Sequence, residues 1–93
     1  MEDEAVVKET AAGQEKRLVI QGLVSLCILH HGTSRDQVKS FLGPPTMQGG
    51  TSHRYRTPSV YKYGAVEIFF GQRARDGIAM ICTDDDMILP PLP

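Results

Sequence analysis

The sequence predicts an α+β domain: two N-terminal helices packed on a three- to four-stranded antiparallel meander, forming a two-layer sandwich. Three observations carry this. Apolar residues recur at helical spacing between Leu18 and Leu29. Residues 32–45 spell out one complete short helix with its start and stop signals. From His53 onward the pattern changes to short alternating runs rich in Val, Ile, Tyr and Phe, punctuated by glycine.

The first helix is built on Ile20, Leu23, Val24, Cys27 and Ile28, with Leu18, Val19, Leu26 and Leu29 widening the stripe. Its β-branched residues favour a strand, but a dozen continuous residues is long for one, and length decides for helix. The second helix is more sharply written. Thr33 or Ser34 caps its N-terminus, and Asp36 or Gln37 closes a capping box. Val38, Phe41 and Leu42 supply a narrow apolar face. Gly43 suits the position after the last turn, and Pro44 and Pro45 forbid continuation. The short link His30-His31-Gly32 makes the two helices spatial neighbours.

Residues 46–52 read as a flexible loop by composition. His53 to Arg56 predicts a short strand that Pro58 confines to an edge or ends. Val60 to Tyr63 and Ala65 to Phe70 predict two strands meeting at Gly64. In the second, Val66, Ile68 and Phe70 share one face, and Ala65, Glu67 and Phe69 share the other. Residues 71–77 form a hairpin loop closing on Asp76-Gly77, and Ile78 to Thr83 is the last strand.

A chain of 93 residues makes one domain with a modest core, and 41% apolar content is ordinary for a globular protein. Residues 15–87 are predicted as that domain. Residues 1–14, polar and acidic, are predicted as a disordered arm. Residues 88–93, with three prolines, are predicted as an extended tail of polyproline character that covers a sheet edge or hangs loose. The formal net charge of −1 exerts no global pull toward nucleic acid or membrane. Its distribution is uneven, because residues 53–76 carry five bases against Glu67 and Asp76. The apolar run Leu18 to Leu29 falls short of the roughly 18 residues a membrane span needs. Neither a basic-then-apolar leader nor a lipid-attachment cysteine is visible, so a cytoplasmic location is expected. Cys27 and Cys82 are expected as buried thiols rather than a bridge.

The run Gly32-Thr33-Ser34, then Val38, Leu42, Gly43 and Pro45, followed by an antiparallel sheet, resembles the small outer-membrane assembly lipoproteins of the SmpA/BamE type. The β-lactamase-inhibitor proteins share that helix-helix-sheet unit. The resemblance covers roughly Leu26 to Thr83. It implies a non-catalytic scaffold whose sheet or loops contact another protein.

No catalytic set stands out. No serine occupies a nucleophile elbow, and Gly49-Gly50 is not followed by the Lys-Ser/Thr of a phosphate loop. Glu67 is expected to face solvent or to pair across the sheet with Arg54 or Arg56. Adjacent His30 and His31 diverge by about 100° on a helix, and with His53 they lack zinc-ligand spacing, so no metal or cofactor is expected. Asp84, Asp85 and Asp86 read as a solvated acidic turn, lacking the pattern of a calcium loop.

The expected function is binding of a macromolecular partner, most simply a protein. Its expected contact surface comprises Arg54, Tyr55, Arg56, Tyr61, Lys62 and Tyr63, with Arg73 and Arg75 as a rim, because Tyr and Arg are enriched where interface energy concentrates. The interleaved bases and aromatics also suit single-stranded nucleic acid. Thr83 to Leu89 faintly resembles the acidic-then-Met strand of Sm-like RNA-binding barrels, which makes an RNA-binding protein the alternative reading. A free sheet edge would additionally permit homodimerisation.

Overall fold

The structure, a computed structural model, describes residues 15–54 and 56–93. It contains two helices and a five-stranded antiparallel sheet, an α+β arrangement. Helix α1 occupies residues 15–25 and helix α2 spans Arg35–Leu42. The strands are β1 Met47–Gly49, β2 Val60–Tyr63, β3 Val66–Phe70, β4 Ile78–Cys82 and β5 Met87–Leu89. They lie in the sheet in chain order, each antiparallel to the next.

Helix α1 ends four residues before the apolar stripe does. The N–H of Ile28 donates to the carbonyl of Leu23 at 2.9 Å, and that of Cys27 to Val24 at 3.0 Å. This is the paired closure of a Schellman motif, and it places Cys27 at the left-handed position with φ 60°. The early stop turns Leu29 into the core while leaving Cys27 and Ile28 exposed. Both cysteines are free thiols, and the expectation that Cys27 is buried fails because the motif swings its side chain outward.

Ser34 is the N-cap of α2. Its Oγ accepts from the N–H of Gln37, whose side chain accepts from the N–H of Ser34, so the capping box is complete. Thr33 is instead buried in the α1–α2 connection, where its hydroxyl accepts from the N–H of His30 and donates to the carbonyl of Ile28. The inward stripe of α2 is Arg35, Val38 and Leu42. Phe41, expected inside, is 48% exposed.

Alternation along β2 and β3 sends Tyr61, Tyr63, Val66, Ile68 and Phe70 inward. The register aligns Tyr61, Ile68, Ile81 and Leu89 as one inward row, with exposed Gln48 at its β1 end. Ile20, Leu29, Val38 and Leu42 from the helical segments complete the same core. A second row, Met47, Lys62, Glu67, Cys82 and Met87, lies on the opposite face. Bulges leave Ala79 and Ile88 without register partners, which keeps Ile78 and Leu89 on the inner side.

The sheet has more strands than the sequence predicts, and their ends differ. Residues 47–49, expected as loop, form β1 because they pair with residues 60–62. Residues 53, 54 and 56 are not strand; both sides of β2 are taken, by residues 47–49 and by β3. Ile88 and Leu89, expected in the tail, belong to β5. Their strand covers the edge of β4 and stops at Pro90, whose carbonyl lies 2.8 Å from His31 Nε2. The expected disordered arm, residues 1–14, lies outside the described residues.

A left-handed backbone is strained for any residue with a Cβ, and glycine removes that strain. Cys27→Gly is expected to raise unfolding stability by about 1 kcal/mol in a urea titration. An unchanged or lowered midpoint would show that the turn at residue 27 is not left-handed.

Candidate functional site

The eight residues expected to form one contact surface occupy three separate places. Tyr61 and Tyr63 are core residues, 3% and 2% exposed, on the inner face of β2. Their rings lie under lysines: Lys39 Nζ is 5.2 Å from the Tyr61 ring centre and Lys16 Nζ is 5.9 Å from that of Tyr63. Tyr61 also meets Phe70 edge-on at 4.9 Å. These tyrosines therefore present no face to a partner, a correction that follows from strand alternation once the helices are seen to cover that side. Lys62 points to the opposite face and pairs with Glu67 at 3.2 Å, its direct cross-strand neighbour. Glu67 thus pairs within the β2–β3 hairpin rather than with Arg54 or Arg56. Tyr55 lies outside the described residues.

The remaining four residues are exposed and share one end of the sheet. Arg54 and Arg56 belong to the connection from β1 to β2, and Arg73 and Arg75 to the connection from β3 to β4. Both connections leave the sheet at the end where β2 begins and β3 finishes, because Val60 pairs with Phe69. The opposite end carries the β4–β5 turn with Asp84, Asp85 and Asp86. That turn is closed by Thr83, whose N–H donates to the Asp86 carbonyl and whose hydroxyl donates to Asp85. Arg17 of α1 ties into it by an ion pair with Asp86 at 3.0 Å.

The residue that joins the two arginine-bearing connections is Arg35, which sequence reasoning passed over. Its side chain is 6% exposed and no carboxylate partners it among the described residues. Its guanidinium instead donates to backbone carbonyls. Nε reaches Pro58 at 2.7 Å, and Nη2 reaches Gly71 at 2.6 Å. Nη1 is shared among Arg73, Ala74 and Asp76 at 3.0, 3.1 and 3.0 Å. The plane lies 4.8 Å from the Phe70 ring centre, a cation–π contact at the floor of the site. The fork geometry of an arginine suits this task, since its donors leave one plane in several directions.

The second connection is also fixed from outside. The N–H of Ile78 donates to the carbonyl of Thr33 at 3.0 Å. A Cβ at residue 77 would stand 2.7 Å from the carbonyl oxygen of His31, so only glycine permits this approach. Asp76 Oδ2 accepts from the N–H of Arg73, closing the loop on itself. Thr51, Ser52, His53 and Arg56 border an open hollow of about 460 Å³.

No group of three or more His, Cys, Asp or Glu residues able to hold a metal ion occurs among the described residues. His30 Nδ1 accepts from the N–H of Gly32 at 2.9 Å, so its ring serves the interhelical turn. Burial raises the Cys82 thiol above its ordinary value, with Glu67 and Asp84 adding to the effect. No helix among the described residues is long and apolar enough to cross a membrane. No protein-family model, curated protein or solved structure matches the chain.

Tyr63 links the far end of the site's supporting core to α2. Its hydroxyl donates to the Gly43 carbonyl at 2.9 Å, just past the helix. Burial, reinforced by neighbouring Tyr61, pushes its ionisation up to about 12. The unfolded chain releases this proton near the ordinary value of about 10, so the neutral phenol favours the folded state there. Stability is expected to be unaffected by this group below about pH 10 and to fall as pH rises from 10 toward 12. Tyr63→Phe should cost about 1 kcal/mol at neutral pH, from the lost hydrogen bond, and flatten the alkaline decline. An identical alkaline slope in the variant would show that Tyr63 does not cause it.

Proposed function

We infer that this chain is a small non-catalytic interaction module. It binds an acidic segment of a partner protein at the arginine-bearing end of its sheet. The observation that carries this reading is the placement of Arg54, Arg56, Arg73 and Arg75, exposed on two connections at one end of the sheet that Arg35 binds to each other. Holding such loops in place before binding lowers the ordering cost that association otherwise incurs. Guanidinium groups match carboxylates in bidentate geometry and steer an acidic partner toward this end. The acidic turn at the opposite end gives the molecule a charge axis that orients the approach.

The helix-helix-sheet order supports the resemblance to SmpA/BamE-type domains, and with it a scaffold role. Two free thiols suit a reducing compartment, which supports work in the cytoplasm. The RNA-binding alternative requires aromatic faces for base stacking. Of the three tyrosines it relied on, Tyr61 and Tyr63 are held in the core, and Tyr55 lies outside the described residues.

The test is a titration with a fluorescent polyglutamate peptide, read by anisotropy. Replacing Arg54, Arg56, Arg73 and Arg75 by Glu together should weaken binding by at least about tenfold while leaving the circular dichroism unchanged. Binding should also weaken as salt rises. Equal binding by the variant, or preference for a single-stranded oligonucleotide over the peptide, would contradict the assignment.

A further inference from the structure

We propose that Met80, Cys82 and Met87 form a binding site for a soft monovalent metal ion, copper(I), on the outer face of the sheet. Methionines ordinarily fill irregular gaps in a core. Here Met47, Met80 and Met87, the methionines among the described residues, are all absent from the core. All three stand on the sheet face opposite the helices, and Cys82 stands there with them.

Three of these four sulfur residues are neighbours. Cys82 and Met87 face each other directly across the β4–β5 pair, where Cβ atoms stand about 5 Å apart. Met80 precedes Cys82 by two residues on β4. The residue between them, Ile81, is fully buried, so alternation turns Met80 and Cys82 outward together, about 7 Å apart along the strand. Cys82 is thus the common neighbour of both thioethers. The unbranched, freely turning stem of a methionine carries its sulfur well past Cβ, which is enough to close these gaps around one ion. Met47 lies three strands from Cys82, about 14 Å across the sheet, and takes no part.

The donor set chooses the ion. One thiolate and two thioethers are soft ligands, and they select copper(I) over hard cations. Histidine does not join them: His30 and His31 lie on the α1–α2 link, and His53 lies on the connection from β1 to β2. The site borders the acidic β4–β5 turn, at the far end of the sheet from the arginines, so it is independent of the peptide-binding end.

The local charge favours a cation. Glu67 is the direct partner of Cys82 on β3, and Asp84 follows Cys82 by two residues. Burial raises the thiol above its ordinary value, and these two carboxylates add to the effect. The negative field that discourages a bare thiolate welcomes a positive ion in the proton's place. Binding forms a metal–Sγ bond, releases the thiol proton to solvent and leaves ion and thiolate together neutral.

Anaerobic titration of the full chain with copper(I), against a chromogenic copper(I) chelator as competitor, tests this. One ion per chain should bind, and affinity should rise about tenfold per pH unit around neutrality, for the one proton released. Cys82→Ser should weaken binding by at least about a hundredfold, and Met80→Leu and Met87→Leu by about tenfold each. Cys27→Ser and Met47→Leu should leave it unchanged. A second measurement needs no variant: one equivalent of silver(I), a redox-inert stand-in, should shift the methyl NMR signals of Met80 and Met87 and not that of Met47. Absence of binding, binding that survives Cys82→Ser, dependence on Cys27, or silver shifts that spare Met80 and Met87 would each overturn the proposal.

Discussion

A buried guanidinium organises this protein. Arg35 sits at the first turn of α2, where the helix dipole disfavours a positive charge. Taking that charge out of water is costly unless hydrogen bonds replace the lost hydration. Here the replacement comes from the carbonyls of Pro58, Gly71, Arg73, Ala74 and Asp76, supplied by two chain segments far apart in sequence. Each carbonyl is itself a group that would otherwise need a donor. The charge and the loop backbone thus satisfy one another.

From that contact the rest of the site end follows. Residues 71–77 have no regular hydrogen-bond ladder, yet they hold a defined path between β3 and β4. Arg35 secures them from within, Asp76 closes them locally, and the Thr33 carbonyl receives the first amide of β4. Phe70, the last residue of β3, lies under the guanidinium, and its N–H donates to the Ser59 carbonyl at 2.7 Å. The core and the loop end are therefore one continuous structure.

Much of this layout was legible in the sequence, and the failures have physical causes. The α2 capping signals, the β2–β3 hairpin at Gly64 and the 71–77 loop all depend on local chemistry, and local chemistry is written in adjacent residues. Strand β1 is not legible there because Met47-Gln48-Gly49 has no strand preference of its own, its pairing being conferred by β2. Strand β5 was hidden by prolines that follow rather than interrupt it. The burial of Tyr61 and Tyr63 is not legible in their own strand because it is set by the helices above them. Arg35 has a role that is not legible from its residue type, since arginines are mostly exposed. Its position three before Val38 and seven before Leu42 was the one available signal that it belongs to the inward stripe.

The claim that Arg35 binds both connections together is tested most directly by hydrogen–deuterium exchange on Arg35→Met, which keeps an apolar stem and removes every donor. The account predicts a stability loss of about 2–4 kcal/mol. It also predicts faster exchange at Ser59 and Phe70 on one side and at Gly71, Asp76 and Ile78 on the other, rising together. Native-like protection at both segments, or loosening confined to one, would contradict it.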